Sequence, residues 1–210
     1  MPPTPRTIVE YDRTAPPREA TETATFGLGC FWGPDARFGA TEGVVRTRVG
    51  YAGGTDPDPT YHALGDHTEV VQVEYDPAHL DYRALLAAAF AAHDPYRQPA
   101  KRQYHHVVCL ETDRQRAALE AYLDAEGYAR EDVATRIEPL SAFVPAESYH
   151  QKYTLRTDRT LLEVFEEAEY DDEAIRESPA AAKLNADRAG REVAPTPELG
   201  IGTAPRRGRD

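Results

Sequence analysis

The feature that most constrains the fold is the order in which two hydrophobic periods alternate between residues 23 and 170. Runs with a two-residue period are typical of strands, and stretches with a period of about 3.6 residues are typical of helices. Their order is β-α-β-β-α-β, followed by α-β-α. This order predicts an α+β fold, a ferredoxin-like two-layer sandwich with a mainly antiparallel or mixed sheet and helices on one face.

The segments on either side of this region have a different composition. Residues 1–22 are rich in proline, threonine and charge, and residues 171–210 contain no aromatic residue. Because such segments bury little apolar surface, we predict a flexible N-terminal arm at 1–22, a compact domain at 23–170 and a mostly disordered tail at 171–210. Within the tail, the stretch from Pro179 to Gly190 is compatible with a short helix.

The charge balance restricts the classes of partner. A net charge of −12 without a basic stripe disfavours binding to nucleic acids and to anionic membranes. The sequence contains no apolar run of the length needed to cross a bilayer, and residues 1–17 lack the apolar core of a signal peptide. We therefore predict a cytoplasmic monomer that has neither membranes nor nucleic acids as partners.

A glycine-flanked cysteine is the strongest chemical signal. A strand is predicted from Thr25 to Cys30, and a short helix from Gly33 to Thr41. A thiol at such a junction lies near unpaired amide groups and the positive end of the helix dipole, which favour the thiolate form. Phe31 and Trp32 follow directly and can form an apolar cup beside the sulfur.

One predicted strand, Thr68 to Tyr75, places a carboxyl group on its apolar face. Val71, Val73 and Tyr75 share that face by the two-residue period, and the same period adds Glu69. A carboxyl group among apolar side chains needs a partner or a chemical role.

Several blocks of sequence occur in the order typical of one enzyme family. The blocks lie between residues 25 and 156 and read Gly29-Cys30-Phe31-Trp32-Gly33, Val49-Gly50-Tyr51-Ala52-Gly53-Gly54, Pro59-Thr60-Tyr61, Gly65-Asp66-His67-Thr68-Glu69-Val70-Val71, Tyr75-Asp76-Pro77, His93-Asp94-Pro95, Gln103-Tyr104 and Tyr149-His150-Gln151-Lys152-Tyr153. With these blocks the chain resembles the peptide methionine sulfoxide reductase A family. The resemblance implies that the domain is catalytic and reduces methionine sulfoxide, free or in oxidised proteins, with preference for the S epimer at sulfur.

The same resemblance implies a role for each matching residue. Cys30 attacks the sulfoxide sulfur, and Glu69 protonates the departing oxygen. The aromatic pair that holds the methyl group corresponds to Phe31 and Trp32, and the tyrosines that hydrogen-bond the oxygen correspond to Tyr61 and Tyr104. A carboxyl group whose pKa is raised by an apolar setting can supply such a proton at neutral pH.

The chain has only two cysteines, Cys30 and Cys109, and none follows Cys109. Residue parity places Cys109 on a strand face with Val107, where a packed thiol is more common than a reactive one. We therefore predict a cycle with one cysteine, in which Cys30 becomes a sulfenic acid and an external thiol, thioredoxin-like or small, restores it. No bound cofactor and no metal site are predicted, because His105 and Cys109 alone are too few ligands.

Two other functions are compatible with these residues. In a cysteine hydrolase, Cys30 would attack a carbonyl group with a histidine such as His150 as the base. Alternatively, a degenerate relative could bind sulfoxides without turnover. The loops at 62–68 and 96–102 are shorter than the family pattern, and the second lacks the aspartate usual there, which is the reason for this alternative.

Overall fold

A computed structural model describes residues 1–202. Six strands form a single sheet in the order β5-β4-β1-β3-β2-β6. Neighbouring strands are antiparallel except for β4 and β5, which are parallel. The strands are β1 Glu22–Leu28, β2 Val44–Ala52, β3 Thr68–Tyr75, β4 His106–Leu110, β5 Arg136–Pro139 and β6 Phe143–Pro145.

Eight α-helices lie within the described part of the chain. They are α1 Pro5–Thr14, α2 Trp32–Ala40, α3 Tyr82–Phe90, α4 Asp113–Glu126, α5 Tyr153–Thr157, α6 Arg159–Glu167, α7 Asp172–Glu177 and α8 Pro179–Arg188. The side chains of Asp81 and Thr112 cap α3 and α4, because they accept hydrogen bonds from the backbone N–H groups of Ala84 and Gln115. Helix α4 ends at Gly127, whose φ of 75° is in the left-handed region that glycine adopts readily. None of the helices found in residues 1–202 combines the length and hydropathy of a membrane span.

The main core lies between one face of the sheet and helices α2, α3 and α4. It contains Phe26 from β1, Val71 from β3 and Val108 from β4, all buried, together with Phe38 and Leu85 from the helices. This apolar face results from the two-residue alternation of apolar side chains along the strands, which the sequence predicted. The molecule is therefore a mixed α+β protein, as predicted.

The opposite face of the sheet carries charge. Arg46 and Arg48 on β2 each contact Glu74 on β3 at 2.5 Å, and all three side chains are largely buried. Glu177, at the end of α7, contacts Arg48 at 2.7 Å and Arg18 at 2.6 Å. Segments from both ends of the chain therefore cover this face.

The prediction of a flexible N-terminal arm and a mostly disordered tail is wrong for most of the residues concerned. Helix α1 packs with α5, α6, α7, α8 and the residues that follow them in a second core, whose buried members are Ile8, Leu155, Leu161, Phe165, Ile175, Ala180, Ala181, Leu184, Ala186, Val193, Leu199 and Ile201. Pro179–Arg188 is a helix, as the sequence allowed, and it is buried along most of its length. Neither segment could bury enough apolar surface alone, but each completes the core of the other. The remainder of the predicted tail, 203–210, lies outside the described residues.

Candidate active site

Cys30 lies in the short connection between strand β1 and helix α2. Gly29 before it has a φ of +80°, which a side chain would make strained, and Phe31 after it is the N-cap residue of α2. The Cys30 side chain is exposed. The structure therefore places the thiol at the strand-to-helix junction, as predicted, where a substrate can reach it.

Glu69 is held directly beside this junction. It lies in β3, is only 1% exposed, and its Oε2 accepts a hydrogen bond of 3.1 Å from the backbone N–H of Phe31. Its other oxygen accepts a hydrogen bond of 2.6 Å from Nε2 of Gln103. One carboxyl group thus bridges the residue that follows the cysteine and the loop that precedes β4.

Burial raises the pKa of Glu69, against the opposing effects of its hydrogen bonds with Gln103 and Phe31 and of the charge of Lys101. Partial burial also raises the pKa of Cys30; a hydrogen bond from the Trp32 backbone opposes this, and the negative charge of Glu69 adds to it. The sequence predicted a lowered thiol pKa. That prediction is wrong, because desolvation and the nearby carboxylate of Glu69 outweigh the hydrogen bond from the Trp32 backbone.

The two predicted tyrosines lie in the same neighbourhood. The pKa of Tyr104 is raised first by desolvation, then by Glu69 and Tyr61, and also by Cys30, so these three residues lie close enough to Tyr104 to affect its charge. Tyr61 comes from the loop between β2 and β3, and its backbone N–H donates to Oε1 of Glu147 at 2.9 Å. The site therefore presents one thiol, one carboxyl group and two phenols together.

Aromatic rings form the apolar side of the site. Trp32 stacks on Tyr153 with ring centroids 3.8 Å apart and planes inclined by 9°. Its Nε1 donates to Nδ1 of His150 at 3.3 Å, and the His150 ring lies 5.2 Å from that of Phe31 and 4.7 Å from that of Tyr61. We call this group of five rings the aromatic cup. It is the apolar cup predicted for Phe31 and Trp32, with three further members.

The sequence did not indicate how the cup is supported. The hydroxyl of Tyr51 donates to Oε2 of Glu147 at 2.7 Å, while the other oxygen of Glu147 holds the Tyr61 backbone. Gln103 and Tyr51 lie in blocks that carry the family resemblance, which is the signal that could have singled them out. Glu147 lies outside those blocks, two residues before Tyr149, and no pattern points to it.

Cys109 is remote from this site. It is 2% exposed, it packs in a small apolar cluster with Val107 as predicted, and burial raises its pKa to about 12. In the sheet it pairs with Thr25, three residues before Leu28, where β1 ends. Three strand residues span about 10 Å, whereas the Cα atoms of a disulfide lie at most about 7 Å apart. A direct Cys30–Cys109 bond is therefore incompatible with this sheet.

Comparison with known proteins identifies the relatives of the chain. Residues 22–181 match the family model described as peptide methionine sulfoxide reductase. A peptide methionine sulfoxide reductase of Drosophila melanogaster is 40% identical over 171 residues, which is 80% of this chain and 68% of that protein. Peptide methionine sulfoxide reductase MsrA of Methanoculleus marisnigri is 43% identical over 150 residues, 65% of this chain and 91% of that protein.

Solved structures give the same result. Methionine sulfoxide reductase A of Corynebacterium diphtheriae is similar with a TM-score of 0.56 and 36% sequence identity, over 74% of this chain and 82% of that one. Mxr1 from Saccharomyces cerevisiae in reduced form is similar with a TM-score of 0.57 and 27% identity, over 70% of this chain and 91% of that one.

Proposed function

The chain belongs to the peptide methionine sulfoxide reductase family, and from this premise we propose how its own residues reduce methionine sulfoxide. The reaction is an oxidoreduction at sulfur, in which the substrate loses its oxygen and a thiol gains it. The observation that carries the assignment of roles is the hydrogen bond of 3.1 Å between Glu69 and the residue next to Cys30.

In the proposed reaction the Cys30 thiolate attacks the sulfoxide sulfur while Glu69 donates a proton to the oxygen. The oxygen passes to Cys30 as a sulfenic acid, the electron pair of the thiolate reduces the substrate sulfur, and methionine leaves. The raised pKa of Glu69 supports this role, because a carboxyl group that keeps its proton near neutral pH is a competent general acid.

The remaining residues bind the two ends of the sulfoxide group. Tyr61 and Tyr104 supply neutral hydroxyl donors to the oxygen, which becomes more negative as the S–O bond breaks. The aromatic cup, with Phe31 and Trp32, holds the methyl group. Together with the direction from which Cys30 attacks, these two subsites constrain three directions around the sulfur, so that one configuration fits, and we propose that it is the S epimer.

We further propose that an external thiol completes the cycle. The Cys30 sulfenic acid condenses with one thiol to give a mixed disulfide and water, and a second thiol releases Cys30 as one disulfide forms. A thioredoxin-like dithiol or two small thiol molecules satisfy this balance. The buried, high-pKa state of Cys109 supports the proposal, because that thiol is a poor partner for Cys30.

The test of the function is a stoichiometric assay without added reductant. Each sulfoxide epimer of a blocked methionine is mixed with reduced protein, and we expect one methionine per chain from the S epimer alone. Cys30→Ser should yield none. Methionine formed equally by Cys30→Ser, or only from the R epimer, would refute the assignment.

The recycling step has a separate test. We expect Cys109→Ala to retain multiple turnovers with dithiothreitol at the rate of the unsubstituted protein, because a buried thiol need not react. After a single turnover, mass spectrometry should find Cys30 as a sulfenic acid that dimedone traps. A Cys30–Cys109 disulfide in that experiment would contradict the cycle with one cysteine.

We also infer a ferredoxin-like arrangement for the central strands. The order β4-β1-β3-β2 with antiparallel neighbours supports it, as does a helix in each connection, α2 between β1 and β2 and α3 between β3 and β4. The cytoplasmic location and the monomeric state stay predictions from the sequence.

A further inference from the structure

Only one lysine of the chain is exposed, and it lies beside the proposed active site. The sequence has three lysines, of which Lys152 has no exposed surface and Lys183 is only 9% exposed, whereas Lys101 is exposed. Lys101 belongs to the connection between α3 and β4, where residues 95–105 include two arginines and no carboxyl group. In a chain with a net charge of −12, this segment is therefore a local region of positive charge.

The ammonium group of Lys101 lies at the edge of the site. Its Nζ is 5.3 Å from the centroid of the Tyr104 ring, which belongs to one of the two tyrosines proposed to bind the sulfoxide oxygen. Burial raises the pKa of Glu69, and the charge of Lys101 is among the effects that oppose this rise, so the ammonium group is within electrostatic reach of the carboxyl group. Lys101 forms no ion pair with any carboxyl group of residues 1–202. The site therefore has a cation without a counter-charge on the side that binds the oxygen.

The backbone position of Lys101 is fixed by its neighbour, Arg102. Nε of Arg102 donates to the carbonyl of Asp66 at 2.6 Å, and Nη2 donates to that of Gly53 at 3.1 Å. The hydroxyl of Thr68, at the start of β3, donates to the carbonyl of Arg102 at 3.1 Å. Because these bonds tie the segment to the connection between β2 and β3, binding of a ligand to Lys101 does not require the segment to be ordered first.

We propose that Lys101 is a specificity-determining residue that selects methionine sulfoxide substrates with a carboxylate close to the sulfoxide. Such a carboxylate has two sources, the α-carboxylate of a methionine sulfoxide at the end of a chain or free, and the side chain of an acidic residue next to it in a peptide. The proposal rests on the proposed function, since it concerns the substrate of the same site.

The short side chain of methionine brings a carboxylate near the ammonium group. Four bonds separate the sulfur from the carboxyl carbon, so the α-carboxylate lies roughly 5 Å from the sulfur when the side chain is extended. The sulfoxide oxygen meanwhile accepts from Tyr104, the residue on whose ring Lys101 lies. At physiological ionic strength charges are screened over about 8 Å. Lys101 therefore acts on the bound substrate, whereas acidic residues farther from the site are largely screened.

The test uses two matched pairs of substrates at low ionic strength, with dithiothreitol as the reductant. The first pair is N-acetyl methionine S-sulfoxide and its neutral methylamide. The second pair is a blocked dipeptide of methionine S-sulfoxide followed by glutamate, and the same dipeptide with glutamine. We expect kcat/KM to be roughly three- to fivefold higher for the acidic member of at least one pair, the effect of one exposed ion pair, expressed mainly in KM. The pair that shows the preference identifies the source of the carboxylate.

Substitutions of Lys101 should change the ratio of kcat/KM within that pair. The ratio should fall to about one in Lys101→Met, fall below one in Lys101→Glu, and persist in Lys101→Arg. Loss of the Lys101 charge also acts on Glu69, but this effect is common to both members of a pair and cancels in the ratio. Arg97→Met is the matched control, because it removes the same charge from the same segment at a side chain that is 85% exposed and lies 3.6 Å from Asp94. It should retain the preference.

Salt provides a second measurement that a purely structural role of Lys101 would not affect. The preference for the acidic substrate should decline as sodium chloride is raised towards 1 M, because the screening length then falls to about 3 Å. A preference that is independent of salt would overturn the proposal.

The remaining outcomes separate the two proposals. If the neutral methylamide gives no methionine, the reductase assignment itself fails. If it reacts but neither acidic substrate is preferred, or if Lys101→Met and Lys101→Glu lower kcat/KM equally for both members of a pair, the role of Lys101 in specificity is refuted while the reductase assignment stands. Loss of the preference in Arg97→Met to the same extent would also refute it, because the effect would then belong to the overall charge.

Discussion

Cys30 and Glu69 need opposite protonation states when the substrate reacts, because the thiol must be ionised and the carboxyl group must carry a proton. Burial raises the pKa of Cys30, and a charged Glu69 raises it further. When Glu69 is protonated its negative charge is absent, so the Cys30 thiol ionises more readily. The thiol is therefore most easily ionised when Glu69 has a proton to donate. A protonated Glu69 and an ionised Cys30 are therefore compatible with each other in this site.

Substitution of Glu69 tests this coupling. For Glu69→Gln we expect kcat/KM to fall by about 10²–10⁴-fold, the usual contribution of a general acid. The alkaline decline of the rate, which arises as Glu69 loses its proton with rising pH, should disappear. The pKa of Cys30 should fall, because the charge of Glu69 is one of the causes that raise it. The rate of iodoacetamide alkylation against pH measures this thiol pKa, and an unchanged midpoint would contradict the coupling.

The individual site residues differ in how far the sequence could predict them. Glu69 was predictable because the two-residue period places it on an apolar strand face, and Cys30 because glycines flank it at a junction. Glu147 was not predictable, because it lies in an irregular segment that has no hydrophobic period. The direction of the Cys30 pKa shift was predicted wrongly because the local argument omitted desolvation by burial and the charge of Glu69, both of which arise only in the fold.

Among the elements, helix α2 is fixed by a buried polar network at its first turn. Oδ1 of Asp35 lies 3.5 Å from Nζ of Lys152, and its Oδ2 accepts from Asn185 of α8 at 3.1 Å. Nζ of Lys152 also donates to the carbonyl of Thr47 at 2.5 Å. Because Lys152 immediately precedes Tyr153, the network links the helix that carries Trp32 to the ring that stacks on it.

Removal of the Asp35 charge from this buried network should lower the stability of the fold. Lys152 has no exposure, and burial lowers its pKa although Asp35 opposes the shift. For Asp35→Asn we expect the free energy of unfolding to fall by about 3–5 kcal/mol, because the lysine is left without its counter-charge. Urea unfolding followed by circular dichroism measures the change. Adding Lys152→Met should recover much of the loss, and a double variant as unstable as Asp35→Asn would argue against the charge as the cause.

Helix α8 shows why the packing of the C-terminal segment escaped prediction, although the helix itself was compatible with the sequence. A Cβ added to Gly39 of α2 would lie 2.6 Å from the carbonyl oxygen of Ala182, so the two helices are in close contact. Alanines buried at this distance contribute to a core without large side chains. Because the tail lacks aromatic residues, the prediction from its composition underestimated how much apolar surface it buries. Strand β3 and helix α2, predicted at Thr68 to Tyr75 and at Gly33 to Thr41, have bounds within one residue of those predictions.

At the scale of the whole molecule, ion pairs and hydrogen bonds hold segments from both ends of the chain against the sheet and each other. Hydrogen bonds from Arg48, Arg176 and Arg18 lower the pKa of Glu177 to about 2, against the effect of its burial. Near the N-terminus, Asp12 accepts hydrogen bonds from Tyr170 and from the backbone of Ala180. The first and last helices therefore stabilise the catalytic domain rather than extend from it.

The contribution of Glu177 should depend on pH in a defined direction. Its pKa in the folded protein is below the ordinary value of 4.5, so its contribution is complete above pH 4.5 and is lost as the pH falls towards about 2. Glu177→Gln should lower the free energy of unfolding at pH 7 by about 3 kcal/mol, the equivalent of that pKa difference. The two proteins should converge in acid. Glu173→Gln, on the exposed face of α7, is the matched control and should change little.

The single tryptophan of the sequence is the one that stacks on Tyr153 and donates to His150 in the aromatic cup. Ultraviolet emission excited at the red edge of the absorption band therefore comes from one indole at one place. We expect its intensity and wavelength to change with the occupancy of the methyl subsite and with the oxidation state of Cys30. Each step of a turnover can thus be timed on the unlabelled protein, without a dye that would itself occupy the site.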